Sequence, residues 1–379
     1  MSNHPQGIRK KLQQRKANHS FRTLSYSAEG VDFFSNDYLG FSKNDQIYQQ
    51  SLAFLALHQL QQNNATGSRL LSGNLKIHIN TEAQIAKFHE AESAILFNSG
   101  YDANLGFFSS VPQRGDVVFY DEFIHASIRD GLQLSLAKSY KFKHNDLRDL
   151  KNKAEKINAS GAVFVVTESV FSMDGDSPNL KSFLEFCDQK QFFLIVDEAH
   201  ALGVFGENGE GLLQQQNLHH QVFARIVTFG KGLGAHGAVV LGSLELKDFI
   251  VNFTRSFIYT TANSPHAVAT ISSAYQELLS TSAIKKLHQN IDFFKQQLKE
   301  LKLESNFIQS NSAIQCSVIS GNDRVKQIAN TLQEQHFLVK PILSPTVKKG
   351  QERLRFCLHS YNTSAEITSV LQCLKNELL

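Results

Sequence analysis

The stretch FFLIVDEAH, residues 192–200, sets the fold class of this chain. Residues 192–196 are apolar at every position, which suits a short strand covered on both faces. The run stops at Asp197, and a carboxylate and an imidazole, Asp197 and His200, follow at the strand end. On either side, comparable short runs occur at 94–97, 117–120, 162–167, 226–229 and 238–241, most of them separated by sequence of helical period. Parallel strands need long crossovers, commonly helices, and these intervals supply them. The spacing predicts an α/β fold with a mostly parallel central sheet. In such a sheet ligands lie beyond the carboxyl ends of the strands, so the polar residues after each run are where chemistry is expected.

From about residue 282 the pattern changes. A Lys/Gln-rich helix through 301 precedes a strand at 313–319, a helix at 325–334, a strand at 353–358 and a closing helix at 365–378, a smaller α+β unit. The expected division is an N-terminal arm and a segment packing with the small domain (1–50), a large α/β domain (51–280) and a small C-terminal α+β domain (281–379). The prolines form no linker, and no repeat or low-complexity tract interrupts the chain.

With 38 Lys+Arg against 35 Asp+Glu and 42% hydrophobic residues, the chain is too apolar and too weakly charged for a disordered or nucleic-acid-binding arm. No apolar stretch approaches the roughly 18–20 residues of a membrane span. Neither nucleic acid nor membrane is therefore expected as a partner. Cys187, Cys316, Cys357 and Cys373 form no C-x-x-C pair, so the sequence writes neither a zinc knuckle nor a disulfide framework and suggests a reducing, cytoplasmic setting. The N-terminal segment has no acid before Glu29 and no apolar signal core. It reads as a basic amphipathic arm around Ile8, Leu12 and Phe21 rather than a presequence.

Each strand end carries a candidate. The DEAH of 197–200 is also the spelling of a helicase box, but the phosphate loop G-x-x-x-x-G-K-[ST] that reading requires is absent, and no third ligand at metal-binding spacing accompanies it. On its own Asp197 is equally a helix cap. In TFGKGLG (228–234) Lys231 stands between glycines, a setting for a buried reactive amine whose neutral form desolvation favours. The overlapping GLGAHG (232–237) matches a dinucleotide fingerprint, yet an apolar run follows it instead of a helix. FNSGYD (97–102) enters a helix through small residues, which makes either an anion site on free backbone N–H groups or an ordinary glycine turn. DEFIHAS (121–127) brings His125 and TESVFSMDGD (167–176) brings Ser172 to two further strand ends.

Taken in order, SNDYLG (35–40), GSRLLSGN (67–74), TESVFSMDGD, DEAHALG (197–203) and TFGKGLG resemble the α-oxoamine synthase family of fold-type I pyridoxal 5′-phosphate (PLP) enzymes, and the likeness runs from Ile8 to the C-terminal helix. The resemblance implies a PLP-dependent acyltransferase, a homodimer with shared active sites. It implies that Lys231 bonds covalently to the cofactor aldehyde and then serves as the acid/base amine, and that Asp197 pairs with the ring nitrogen. His200 and Ser172 are implied to hydrogen-bond the ring oxygen, and His125 to stack on the ring and meet substrate. Gly100, Tyr101 and Thr228 are implied to hold the phosphate, with Thr261, from Tyr259-Thr260-Thr261, reaching the same pocket from a second subunit. Arg22 and Thr346 are implied at the substrate. The GSRLLSGN spelling favours the branch in biotin biosynthesis that condenses L-alanine with pimeloyl-CoA or pimeloyl-acyl carrier protein, releasing CO2 and the thiol. Sister branches use glycine or serine with another acyl thioester. One position departs from the family: Leu343 stands where an arginine commonly meets the amino-acid carboxylate, with Lys340, Arg353 and Arg355 as the nearby cations.

Overall fold

The runs rich in Val, Ile and Phe all become strands. The computed structural model describes residues 4–24, 29–157 and 159–378. In it β1 (Ser93–Phe97), β2 (Val117–Asp121), β3 (Lys138–Phe142), β4 (Val163–Glu168), β5 (Phe193–Asp197), β6 (Ala224–Thr228) and β7 (Ala238–Gly242) build a seven-stranded sheet in the order β1-β7-β6-β5-β4-β2-β3. Only β7 runs against its neighbours β1 and β6; every other pair is parallel. The short loop 229–237 is the reason, since it leaves no room for a crossover and forces a reversal. Strand β3, which the apolar pattern does not predict, lies at the sheet edge and exposes Lys138 and Lys141. Charge on an edge strand blocks further pairing, and the same charge hides the strand from a hydrophobicity reading.

The chain divides into two units, one of residues 36–172 and 176–287, the other of residues 1–35, 173–175 and 288–379. By contact the large unit begins at Asn36, and the division between the units at 287/288 falls inside helix Ala283–Glu300. Within the large unit, Phe107, Phe108 and Ile128 from helices pack on Val118, Val166 and Ile195 of the sheet. Fully burying a side chain of this size contributes roughly 1.5–3 kcal/mol. The smaller unit holds an antiparallel sheet in the order Lys340–Ile342, Arg353–Cys357, Ile314–Val318, with helices Asn322–Glu334 and Ser364–Leu378. There the buried Arg353 is ion-paired with Asp174, so its charge is already committed. The N-terminal arm is a helix, Gln6–Ala17, with no buried residue. Among the described residues no helix is long and apolar enough to cross a membrane.

Two loops that carry predicted site residues are fixed by identifiable contacts. After Lys231 the chain turns through Gly234 at φ 59°, where a Cβ would stand 2.2 Å from the Ser42 nitrogen, and a Cβ on Gly232 would stand 2.3 Å from the Leu202 oxygen. Gly230 meets no atom nearer than 3.7 Å. The glycines required by geometry are thus those after the lysine. Just past β3, His144 bridges two carboxylates, Nδ1 donating to Asp121 Oδ1 at the end of β2 and Nε2 to Asp176 Oδ2, both at 2.9 Å. Burial by itself disfavours the imidazolium, but these hydrogen bonds outweigh it and raise the pKa to about 9.

Two outcomes follow. Gly234→Ala lowers the melting temperature by several degrees because backbone atoms block the new methyl, whereas Gly230→Ala shifts it by less than about 2 °C; thermal unfolding of both variants checks this. Because the His144 pKa is raised on folding, its stabilisation is full below about pH 6.5 and disappears as pH rises through about 9. The difference in denaturant midpoint between the wild type and His144→Gln therefore shrinks across that interval.

Candidate functional site

Parallel strands deliver their last residues to the same edge of the sheet, and at this edge the large unit encloses a cavity of about 160 Å³. β4 ends on Glu168, β5 on Asp197 and β6 on Thr228, and all three line it. Helix Gly100–Ser110, which starts just past β1, adds Gly100, Tyr101 and Asn104. Its start is set by Ser99, whose Oγ accepts from the Asp102 N–H, so the next backbone donors remain available at the helix end. A Cβ on Gly100 would stand 3.1 Å from Thr228 Oγ1, which places a hydroxyl beside that helix end.

Lys231 and His200 meet across the cavity, Nζ to Nε2 at 2.8 Å. The proton pattern follows from the neighbours. Tyr38 donates its hydroxyl hydrogen to Asn36 Oδ1 at 3.3 Å and accepts from His200 Nδ1 at 2.7 Å, which leaves His200 Nε2 to accept from the lysine. Asp197 is held by two donors, the Asn104 amide to Oδ2 and the Ala199 N–H to Oδ1, both at 2.8 Å. The same Asn104 amide donates to Ser127 Oγ at 3.1 Å, and Ser127 in turn donates to His125 Nδ1 at 2.7 Å. Since Nδ1 also receives the Ser127 N–H, a neutral His125 carries its proton on Nε2. Burial lowers the His125 pKa, Asp197 opposes this, and Lys231 and Arg129 add to the lowering, so the ring is neutral at physiological pH.

Glu168 is the unexpected member. Burial and the adjacent Asp197 push its pKa well above the usual carboxylate range, only partly offset by Lys231 and by the His125 N–H, which donates to Oε1 at 2.5 Å. The site thus holds two acids in different environments beside one amine.

Of the sequence-predicted residues, the cavity brings together Lys231, Asp197, His200 and His125 with Gly100, Tyr101, Ser172 and Thr228. Thr261 is exposed and does not line it; its carbonyl accepts from the Asn98 amide at 2.8 Å. Arg22 and Thr346 belong to the other unit and are both exposed. Tyr38, Asn104, Ser127 and Glu168 were not singled out as site residues. Asn104 was discoverable, since it lies one turn after Gly100 on the same helix face. The donor set fits a planar heterocycle bearing an aldehyde for the amine, a ring nitrogen for the carboxylate and a phosphate for the helix end and Thr228 hydroxyl, which is the chemistry of PLP.

Residues 28–374 match the family described as aminotransferase class I and II. The chain is 38% identical over 388 aligned positions to an 8-amino-7-oxononanoate synthase of Emericella nidulans, covering 96% of this chain and 93% of that protein. The solved 8-amino-7-oxononanoate synthase of Francisella tularensis superposes with a TM-score of 0.77 at 30% identity, covering 92% of this chain and 98% of that one. A serine palmitoyltransferase (SPT) solved with PLP superposes with a TM-score of 0.88 at 25% identity, covering 98% and 96%. With its parallel sheet closing on a lysine-bearing cavity and its likeness extending over nearly its whole length, the chain belongs to the aminotransferase class I and II family, on the branch of the 8-amino-7-oxononanoate synthases.

Proposed function

We propose that this chain catalyses the PLP-dependent decarboxylative condensation of L-alanine with a pimeloyl thioester, giving 8-amino-7-oxononanoate, CO2 and the free thiol. The carrying observation is that Lys231 and Asp197 line one cavity in a chain 38% identical, over 96% of its length, to an 8-amino-7-oxononanoate synthase. When bound, the cofactor supplies a cationic ring that accepts the electron pair left at Cα as bonds to hydrogen and to carboxylate break.

The residues divide the remaining work. Lys231 Nζ is the amine that would hold the cofactor aldehyde and, when free, is the base that would take the Cα proton of the amino acid. His200 Nε2, 2.8 Å from that Nζ, accepts one lysine hydrogen and fixes the direction of the amine. Asp197 keeps the ring nitrogen protonated, and its two donors, Asn104 and the Ala199 N–H, stop the carboxylate from rotating away. The N–H groups at Gly100 and Tyr101 and the Thr228 hydroxyl hold the phosphate, and Ser172 donates to the ring oxygen. His125, neutral through burial, covers the ring without adding a charge that would oppose its cationic form. A new bond forms from Cα to the thioester carbonyl and the C–S bond breaks, the sulfur leaving as thiol with the proton taken from Cα; the bond from Cα to the carboxylate then breaks to release CO2, and a proton takes its place at Cα.

Thr261 completes the phosphate pocket of a second subunit, so the working unit is a homodimer. Arg22 grips the distal carboxylate of the pimeloyl chain and Thr346 lies at the substrate. The donor is pimeloyl-CoA or pimeloyl-acyl carrier protein, and the basic helix Gln6–Ala17, with Arg9, Lys10, Lys11, Arg15 and Lys16, offers either carrier an opposite charge. Leu343, in place of the family arginine, means that the amino-acid carboxylate is held differently here, and a sister synthase that takes glycine or serine is the second reading.

Incubating the purified chain with PLP and pimeloyl-CoA, and with L-alanine, glycine or serine in turn, separates the two: thiol release with alanine supports the first, and release with glycine or serine only overturns it. Lys231→Ala is expected to abolish turnover and the absorbance at the blue edge of the visible that marks covalently held cofactor. Asp197→Asn keeps the acceptor for the Ala199 N–H yet loses the charge. Its kcat is expected to fall by about 100-fold or more while the cofactor absorbance persists, measured by thiol release and by spectrum.

A further inference from the structure

A second constellation lies at the other end of the sheet from the cavity. Glu90 follows helix Lys76–Phe88 in a left-handed backbone conformation, φ 49°, and His219 and His220 occupy the loop that enters β6. Nε2 of His219 and Nε2 of His220 each stand 3.3 Å from one and the same oxygen, Glu90 Oε2. The two rings are 3.8 Å apart between centroids, and the three donor atoms all lie within 4.8 Å of one another. Charge-assisted hydrogen bonds are normally shorter, about 2.7–2.9 Å. A spacing of 3.3 Å instead equals the edge of a tetrahedron whose centre is about 2.0–2.1 Å from each corner, the bond length of zinc to imidazole nitrogen or carboxylate oxygen.

The surroundings agree. The His219 side chain is 5% exposed and its Nδ1 is buried with no hydrogen-bond partner, so packing rather than Nδ1 orients the ring. Arg225 is itself paired with Glu198 at 2.8 Å, which offsets its charge next to an incoming cation. Glu90 and His220 are 59% and 61% exposed, which leaves an approach for the ion and a place for water as the fourth ligand.

We propose that Glu90, His219 and His220 form a site for a divalent transition metal ion of the zinc class, separate from the catalytic cavity. Two imidazole nitrogens and one carboxylate oxygen suit Zn²⁺, Ni²⁺ or Cu²⁺ and offer too few oxygens for Ca²⁺ or Mg²⁺. The ligands come from segments distant in sequence, so the ion binds the folded chain and ties the end of one helix to the loop entering β6. Lack of an acceptor at His219 Nδ1 costs about 10–100-fold in affinity relative to a fully supported site.

Calorimetric titration of the full, cofactor-loaded chain with zinc chloride near neutral pH, in chelator-free buffer, tests this beside His220→Ala and Glu90→Gln, both at exposed positions. The expected result is a single saturable site, weakened at least about tenfold in either variant and accompanied by a rise in melting temperature of about 2 °C that both variants lose. Absence of saturable binding up to about 1 mM zinc, or affinity unchanged in either variant, overturns it.

Discussion

Two carboxyl groups side by side at the ends of adjacent buried strands form the constraint on which the rest of the large unit depends. The register of β4 on β5 pairs Glu168 with Asp197, and both lie out of water. Two negative charges at that separation in a poorly polarisable setting repel strongly, and the molecule resolves this by raising the Glu168 pKa so that one of the pair favours its protonated form. Lys231 draws on Glu168 from across the cavity, and the His125 N–H meets the Glu168 oxygen.

Around this pair the hydrogen bonds form two chains, each ending on a group that lines the cavity. One runs from Asn36 through Tyr38 and His200 to Lys231, the other from Asp197 through Asn104 and Ser127 to His125. Each chain sets a tautomer: His200 accepts at Nε2, and His125 accepts at Nδ1. The desolvation of these buried donors and acceptors is offset within the network, which fixes the direction of the lysine and of the His125 ring.

Much of the fold was legible because a parallel sheet buried on both faces writes itself as uninterrupted apolar runs. Six of the seven strands of the large sheet carry such a run, and polar residues that follow five of them, all but the antiparallel β7, line the cavity. Strand β3 was not legible, since KSYKF at the edge has a polar pattern and becomes a strand only because β2 offers it a partner. The glycines around Lys231 were legible as a special turn, but which of them the turn requires depends on Ser42 and Leu202, and no local pattern names those neighbours. Tyr38 and Glu168 lay inside quoted motifs, yet their partners, His200 and Asp197, are 162 residues and one strand register away.

The sequence by itself determined the class of sheet, the end of it where chemistry occurs, and the identities of the amine, the acid and the imidazoles, because strand periodicity and residue chemistry are local properties. Tertiary structure alone decided the relations between them: which acid keeps its proton, which imidazole nitrogen faces the lysine, and that Glu90 meets His219 and His220. Those depend on burial and on distances across strands and loops far apart in the chain, and electrostatic energies change with each ångström of separation and with each layer of water removed.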